Sequence, residues 1–318
     1  MNVCITFATY NEKDNIGKLI TILEEEVFPK IKHHTMHILV ADDNSPDGTA
    51  EVVKELMKKY KNLSLNTGEK RGLGAAYIRA MTYAIQTLDA DILIELDSDL
   101  QHDPRSIPAF LEKMEEGYDV VIGTRYSDGG SMPKKWPFIR KAFSVTANIL
   151  VRTITGRFHI HDWTGGYRAL KKEVFLKERE KVRPFQGYTF QVAFLYKAIL
   201  DGYKVGEVPI HFHARIAGNS KIIPIEYIIN LLTYIIFERI QELKRVIKFL
   251  FVGGTGFIVQ LVAQEGSVLL GVSHPNAVAV GAESAILSNF FLNNFWTFND
   301  TSKVKERGNF FKRLLKFN

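Results

Sequence analysis

Apolar and polar positions along the chain fall into two rhythms. Short apolar runs at Val3–Ala8, His37–Ala41, Leu63–Asn66, Ile92–Leu96 and Val120–Gly123 have the length of buried strands. Between them, near Asn15–Glu26, Thr49–Tyr60, Leu73–Leu88 and Ser106–Glu116, apolar residues recur at helical spacing. This alternation predicts βαβ units on a mainly parallel sheet with helices on both faces. Ligands on such a sheet bind outside the carboxyl ends of the strands. Thr9-Tyr10-Asn11-Glu12, Asp42-Asp43-Asn44-Ser45 and Asp97-Ser98-Asp99 all fall at those ends. One sheet edge is thereby marked as functional.

Beyond residue 126 the pattern loosens. Gly129-Gly130 and Pro133 predict a loop, Phe138–Gly156 and Gln186–Asp201 read as helices, and Tyr203–Phe212 reads as a strand. Arg215 to Lys221 is a basic loop. The composition then changes. Ile222–Phe237 carries a single charge, Glu226, and is followed by Arg239, Lys244, Arg245 and Lys248. A greasy helix with a basic flank predicts a segment lying in a membrane interface. Phe249 to Ser302 has no Lys or Arg, and His274-Pro275-Asn276 splits it into two apolar segments. Cations on both outer sides, the second cluster running from Lys303 to Lys316, and none in the turn predict a transmembrane hairpin with both ends cytoplasmic. Gln260, Gln264, Glu265, Glu283, Asn289, Asn293 and Asn294 interrupt it and should face other helices. So polar a pair of helices predicts either a homo-oligomer or a further C-terminal portion, and the ending Lys316-Phe317-Asn318 favours the latter. The expected division is 1–221 catalytic, 222–248 interfacial and 249–318 transmembrane.

Composition adds little to this outline. At 318 residues there is room for one large and one smaller unit, and a net charge of +6 matters less than where the charges lie. Nothing marks a nucleic-acid partner. The single cysteine, Cys4, excludes an intrachain disulfide and fits a reducing compartment. The start of the chain lacks the features of a signal peptide, so the first domain is expected in the cytoplasm.

The candidate chemistry begins where Ile92–Leu96 runs into Asp97-Ser98-Asp99. Two carboxylates one residue apart at a strand end cannot both be buried and unpaired, because desolvating each costs several kcal/mol. A hard divalent cation resolves this, with Gln101 as a neutral oxygen ligand. Mg²⁺ or Mn²⁺ suits so sparse a set because it shares substrate phosphates. The alternative is an acidic loop in which Asp99 or Asp103 caps a helix starting near Pro104. Gly72-Leu73-Gly74 lacks the third glycine of a dinucleotide fingerprint, and neither a Walker loop nor zinc-ligand spacing occurs. His159 and His161 could share one face of a strand as a structural pair. Gly253-Gly254-Thr255-Gly256, inside an apolar segment, reads as helix packing.

Ala8 to Glu12, Asp42 to Thr49, Asp97-Ser98-Asp99 with Gln101-His102, and Gly123-Thr124-Arg125-Tyr126 resemble family 2 glycosyltransferases of GT-A fold. Trp136 to Arg140 with Ser144, and Arg215-x-x-Gly218-x-Ser220-Lys221, narrow the resemblance to dolichyl-phosphate mannose synthases. It runs from about residue 2 to 221, and the tail resembles the first half of a four-helix membrane domain fused to many archaeal and bacterial members. The resemblance implies an α/β, Rossmann-like catalytic domain followed by an interfacial helix and transmembrane helices. It implies that Ala8, Tyr10, Glu12 and Asp43 hold the nucleoside of GDP-mannose, and that Asp97, Asp99 and Gln101 bind Mg²⁺ or Mn²⁺. Ser98 would line the sugar-nucleotide pocket. Arg125, Arg140, Ser144 and Arg215 would gather around the phosphate of a dolichyl or polyprenyl acceptor, and Arg215 and Lys221 would close the donor side. Asp97, Asp99 and Arg125 are then the catalytic set. Two positions depart from the pattern: Ala8 stands where the family usually has Pro, and Ala193 where relatives carry an acid.

The loss at 193 is tolerable on chemical grounds. A hydroxyl nucleophile needs a base, whereas a lipid monophosphate is already an anion near neutral pH. The expectation is inverting transfer of mannose to a β-linked product by a multi-pass enzyme whose catalytic domain faces the cytoplasm. The rivals are a UDP-glucose-dependent polyprenyl-phosphate glucosyltransferase and a catalytically silent, membrane-anchored scaffold.

Overall fold

A computed structural model describes residues 1–185, 187–214 and 224–297. Arg215, Lys221 and the basic run from Lys303 to Lys316 lie outside these residues. The chain divides into two units, Met1–Ile235 and Ile236–Asn318.

The first unit is built on strands β1 (Asn2–Thr9), β2 (Thr35–Asp42), β3 (Leu63–Thr67), β4 (Ile92–Glu95), β5 (Val120–Thr124), β6 (Arg168–Lys171) and β7 (Val205–Pro209). They form one sheet in the order β3-β2-β1-β4-β6-β5-β7. Helices α1 (Lys13–Ile22), α2 (Thr49–Lys59), α3 (Leu73–Leu88) and α4 (Ile107–Glu115) connect the early strands, as the helical spacing predicts. Helix α5 (Phe138–Thr155) follows β5, while α6 (Lys172–Val182) and α7 (Gly187–Leu200) lie between β6 and β7.

Two-residue alternation in β1 sends successive side chains to opposite faces. Cys4 joins the core that holds Tyr77 of α3, Phe175 of α6 and Phe190 of α7. Val3, Ile5 and Phe7 join the core of Ile16 from α1 and Phe110 from α4. Cys4 is fully buried, and burial raises its thiol to about 12. The thiolate is the reactive form, so the native protein should resist alkylation at pH 8 and become labelled only on unfolding. Mass spectrometry after iodoacetamide treatment measures this; rapid labelling of folded protein would contradict the packing of β1.

Register places the site. Thr9 pairs with Asp42 across β1 and β2, and Thr6 pairs with Glu95 across β1 and β4. The polar clusters following these strands therefore emerge side by side, at the point where the connection reverses from β3 to β4. Strand β6 has no counterpart in the apolar pattern. It is four residues long with a cation at each end, and it runs antiparallel between β4 and β5. Because it is antiparallel, the loop before it arrives at the carboxyl end of β4. Residues 159–161 form no strand; the His161 ring instead meets Glu207 Oε2 at 2.6 Å, and its backbone N–H donates to Glu207 Oε1.

Helix α8 (Pro224–Leu269) begins in the first unit, continues into the second and runs unbroken past residue 248, where the sequence suggested a change from interfacial to spanning helix. No proline interrupts the apolar pattern there, so nothing in the backbone forces a break. Helix α9 (His274–Leu292) follows a turn at Gly271 (φ 86°). The two pack closely through glycine. A Cβ at Gly281 would lie 2.7 Å from the Gln260 carbonyl, and one at Gly256 would collide with Asn289. Gln260, Gln264 and Asn289 thus face a neighbouring helix as expected, whereas Glu265 and Glu283, expected to do the same, are exposed on the outer faces of the pair. Gly253 and Gly254 meet nothing within 4 Å and take no part in this packing.

Candidate active site

A cleft of about 240 Å³ opens at the carboxyl ends of β1 and β4. Ala8, Glu12, Asp97, Ser98 and Asp99, all expected from the sequence, line it together with Leu73, Thr164, Gly166, Gly187 and Gln191, which were not. Leu73 and Gly187 are the first residues of α3 and α7, so two helix N-termini border the cleft. Unpaired N–H groups and the helix dipole make such ends favourable for anions. The Gly72-Leu73-Gly74 step is no dinucleotide fingerprint; it needs its first glycine because Gly72, the residue before α3, has a φ of 95°.

The walls are stapled by short polar contacts. Asp42, fully buried, accepts hydrogen bonds from Thr9 Oγ1 (2.9 Å), Ser45 N (2.8 Å) and Ser45 Oγ (2.6 Å). Asp47 accepts the Lys13 and Thr49 N–H groups, and the Glu12 N–H donates to Thr49 Oγ1. Asn15 Nδ2 holds Glu12 Oε2 at 2.9 Å. Asp43 pairs with Arg79 at 2.9 Å, and Lys70 Nζ lies over the Tyr10 ring. Tyr10 and Asp43 flank the cleft without lining it.

The acidic turn is held from below. Burial lowers His102 to about 4, so it is neutral at pH 7. Its Nδ1 accepts the Asp97 N–H at 3.4 Å, and the 3.5 Å approach to Asp97 Oδ2 is therefore no ion pair. Tyr167 and Phe212 pack on its ring. Asp99 Oδ1 accepts the Gln101 N–H at 3.1 Å, and Gln101 Nε2 donates to the His213 carbonyl. Gln101 does not border the cleft. Asp103 Oδ1 accepts the Arg105 N–H and caps the next turn, so that half of the capping alternative also holds. Among the described residues no group of three or more His, Cys, Asp or Glu gathers around one point. A carboxylate pair between two helix N-termini fits a hard cation that takes its other ligands from substrate phosphates.

Arg125 turns inward. Its Nε and Nη2 meet Asp162 Oδ2 and Oδ1 at 2.6 and 2.8 Å, and Nη2 also reaches Thr164 Oγ1. Burial pushes the Asp162 carboxyl up, but the Arg125 charge and the hydrogen bonds it receives leave it below the usual range. Arg140 stacks on Trp136, 3.9 Å from the ring centroid, and Ser144 Oγ shares a 2.6 Å hydrogen bond with Tyr126 OH. Neither borders the cleft. Ala193 is buried within the apolar core and does not line the cleft. Behind Asp97, burial lifts Glu95 to about 7; Arg168 at 3.5 Å holds it back, and the Asp97 charge adds to the rise.

A switch-point cleft on an α/β sheet is where such a fold binds its ligand, and the carboxylate pair in it suits a cation shared with phosphate oxygens. The model of glycosyl transferase family 2 matches residues 4–178, and that of the GtrA/DPMS transmembrane domain matches residues 248–318. The chain is 35% identical over its whole length to the dolichol-phosphate mannosyltransferase of Pyrococcus furiosus, covering 86% of that protein. It is 36% identical to the polyprenol monophosphomannose synthase of Mycolicibacterium smegmatis over 68% of this chain and 79% of that one. The chain belongs to glycosyl transferase family 2 and is a glycosyltransferase. Its fold is shared with glucosyl-3-phosphoglycerate synthase from Mycobacterium tuberculosis, solved with Mn²⁺ and uridine diphosphate. That match has a TM-score of 0.52 at 15% identity, over 75% of this chain and 78% of that one. Within Ile229–Leu269 an 18-residue window reaches a mean hydropathy of 1.9, apolar enough to cross a bilayer, and with the transmembrane-domain match this makes the chain a membrane protein.

Proposed function

We propose that the chain transfers mannose from GDP-mannose to a dolichyl or other polyprenyl phosphate, with inversion, at the cytoplasmic face of a membrane. The observation that carries the reading is the Asp97/Asp99 pair in a cleft bordered by the N-termini of α3 and α7. The names of the two mannose-synthase relatives support the sugar and the lipid acceptor.

Ala8 and Glu12 bound the nucleotide side, with Tyr10 and Asp43 as its outer wall and Ser98 between the carboxylates. Asp97 and Asp99 would hold Mg²⁺ or Mn²⁺, which supplies positive charge to the departing diphosphate. Gln101 serves this pair by fixing Asp99 through its backbone N–H. Arg125 positions the Thr164 wall through Asp162. The acceptor phosphate needs no base and is oriented by Arg140 and Ser144, with Arg215 as a further cation, while Lys221 closes the donor side. Exposed Phe138, Ile139 and Phe143 on α5 surround Arg140 with apolar surface suited to a lipid. The α8–α9 pair would form two membrane spans.

Purified protein should convert labelled GDP-mannose and a polyprenyl phosphate to glycolipid in the presence of Mn²⁺. Transfer from UDP-glucose instead would replace the donor, and no transfer from either would leave the scaffold reading. Arg140→Ala should weaken acceptor use roughly ten- to a hundredfold, the worth of a charge-assisted hydrogen bond, with GDP binding little changed. Equal losses in both would place Arg140 on the donor side.

A further inference from the structure

Helix α7 carries a polar side chain that neither fold nor catalysis explains. Gln191 is an uncharged polar residue in the apolar run Phe190-Gln191-Val192-Ala193-Phe194. It is 2% exposed and lines the cleft. Its backbone is anchored, the carbonyl accepting Arg168 Nη1 at 2.6 Å. Its amide lies beside Glu95 and helps to lower that carboxyl, yet neither Oε1 nor Nε2 meets a partner in hydrogen-bonding geometry among the described residues. A buried amide left in this state raises the energy of the free protein, and a ligand that satisfies it recovers that loss.

The location says which part of a ligand arrives there. A Cβ at Gly166 would sit 3.5 Å from Gln191 Nε2 and 3.7 Å from Asp97 Oδ1, so the amide and the first carboxylate converge on one point of the wall. Diphosphate oxygens would lie toward Asp97, Asp99 and the helix N-termini. The group joined to that diphosphate is the sugar, so an amide beside Asp97 is placed to meet it. A primary amide both donates and accepts, as a sugar hydroxyl does, whereas a phosphate oxygen would use only its N–H.

We infer that the Gln191 amide hydrogen-bonds a hydroxyl of the transferred hexose and contributes to the choice of sugar. This rests on the donor being a nucleotide sugar. Gly166 serves the same end by keeping the space between amide and carboxylate free.

The test is Gln191→Leu in the full-length enzyme. Affinity for GDP should be unchanged while kcat/KM for GDP-mannose falls roughly tenfold or more, since the contact is made by the sugar alone. GDP-mannose analogues lacking single hydroxyls identify the partner. One analogue should lose activity with the wild type and lose nothing further with the variant. The melting temperature of the ligand-free variant should not fall, because leucine removes an unsatisfied amide. A marked fall, a parallel loss of GDP affinity, or additive losses for every deoxy analogue would each overturn the assignment. If the wild type uses UDP-glucose, the donor reading fails and the same comparison with UDP-glucose analogues decides Gln191 separately.

Discussion

Asp97→Ala and Asp99→Ala should each reduce mannosyl transfer by at least ~10²–10³-fold, the scale for losing a group that stabilises charge in the transition state. Both side chains line the cleft, and two hydrogen bonds that need no ligand hold the turn: His102 receives the Asp97 backbone N–H, and the Asp99 carboxylate receives the N–H of Gln101. The fold should survive. Removing one of two neighbouring carboxylates relieves repulsion, which offsets the 3.1 Å hydrogen bond that Asp99 accepts from the Gln101 N–H. EDTA should inactivate the wild type reversibly, with Mg²⁺ or Mn²⁺ restoring activity. Radiolabel transfer, a thermal melt and GDP titration with and without Mn²⁺ separate these effects. A variant retaining most of its activity would remove the carboxylates from the chemistry.

The second large effect concerns stability. Asp162→Ala should destabilise the catalytic unit by about 3–5 kcal/mol, because it leaves the Arg125 charge buried without its partner. The side chains of the pair are 8% and 0% exposed. Asp162 also accepts the N–H groups of Arg125, Thr164 and Gly165, so the loop before β6 loosens with it. For a unit of this size such a loss lowers the melting temperature by roughly 6–20 °C. Replacing both partners by apolar residues of similar volume should recover much of it. Arg125→Ala gives the contrast. If Arg125 acts through Asp162, melting temperature and activity fall together. An unchanged melt with a raised KM for the lipid phosphate would show that Arg125 holds the acceptor directly.

The sequence pattern reveals one half of the site and hides the other for physical reasons. Ala8, Glu12, Asp97, Ser98 and Asp99 follow strands whose apolar runs are plain, and a parallel sheet brings such strand ends together. Thr164 and Gly166 come from the loop before a strand with no periodic signal, and Gln191 from a helix that the sequence shows without marking which face meets the cleft. Strand β6 is too short to show alternation, and Gln191 lies in a helix buried on all sides, where the amphipathic pattern vanishes. The available signal for Gln191 is its polarity in an apolar run. Ala193, the position that the family resemblance singles out, lies two residues on and faces the core instead. The resemblance sets Arg125 beside the acceptor phosphate, and spacing cannot reveal that Asp162 is its partner. Of the acceptor residues, Arg140 and Ser144 lie near the start of one helix as expected, whereas Arg215, like Lys221 of the donor side, falls outside the described residues.

The antiparallel insertion of β6 also bears on how the domain is made. Among the described residues strand β5 pairs with β6 and β7, both of which come later in the chain. When Val120–Thr124 leaves the ribosome, strands β1 to β4 can already form a sheet, but β5 has no edge to join. At about 5–20 residues per second, the gap of roughly 40 residues before β6 takes a few seconds to synthesise. Through that interval a strand whose residues all end up buried waits without a partner, a state open to aggregation. Conditions that slow synthesis between Thr124 and Arg168 should therefore lower the yield of active enzyme more than the same delay placed before Ile92.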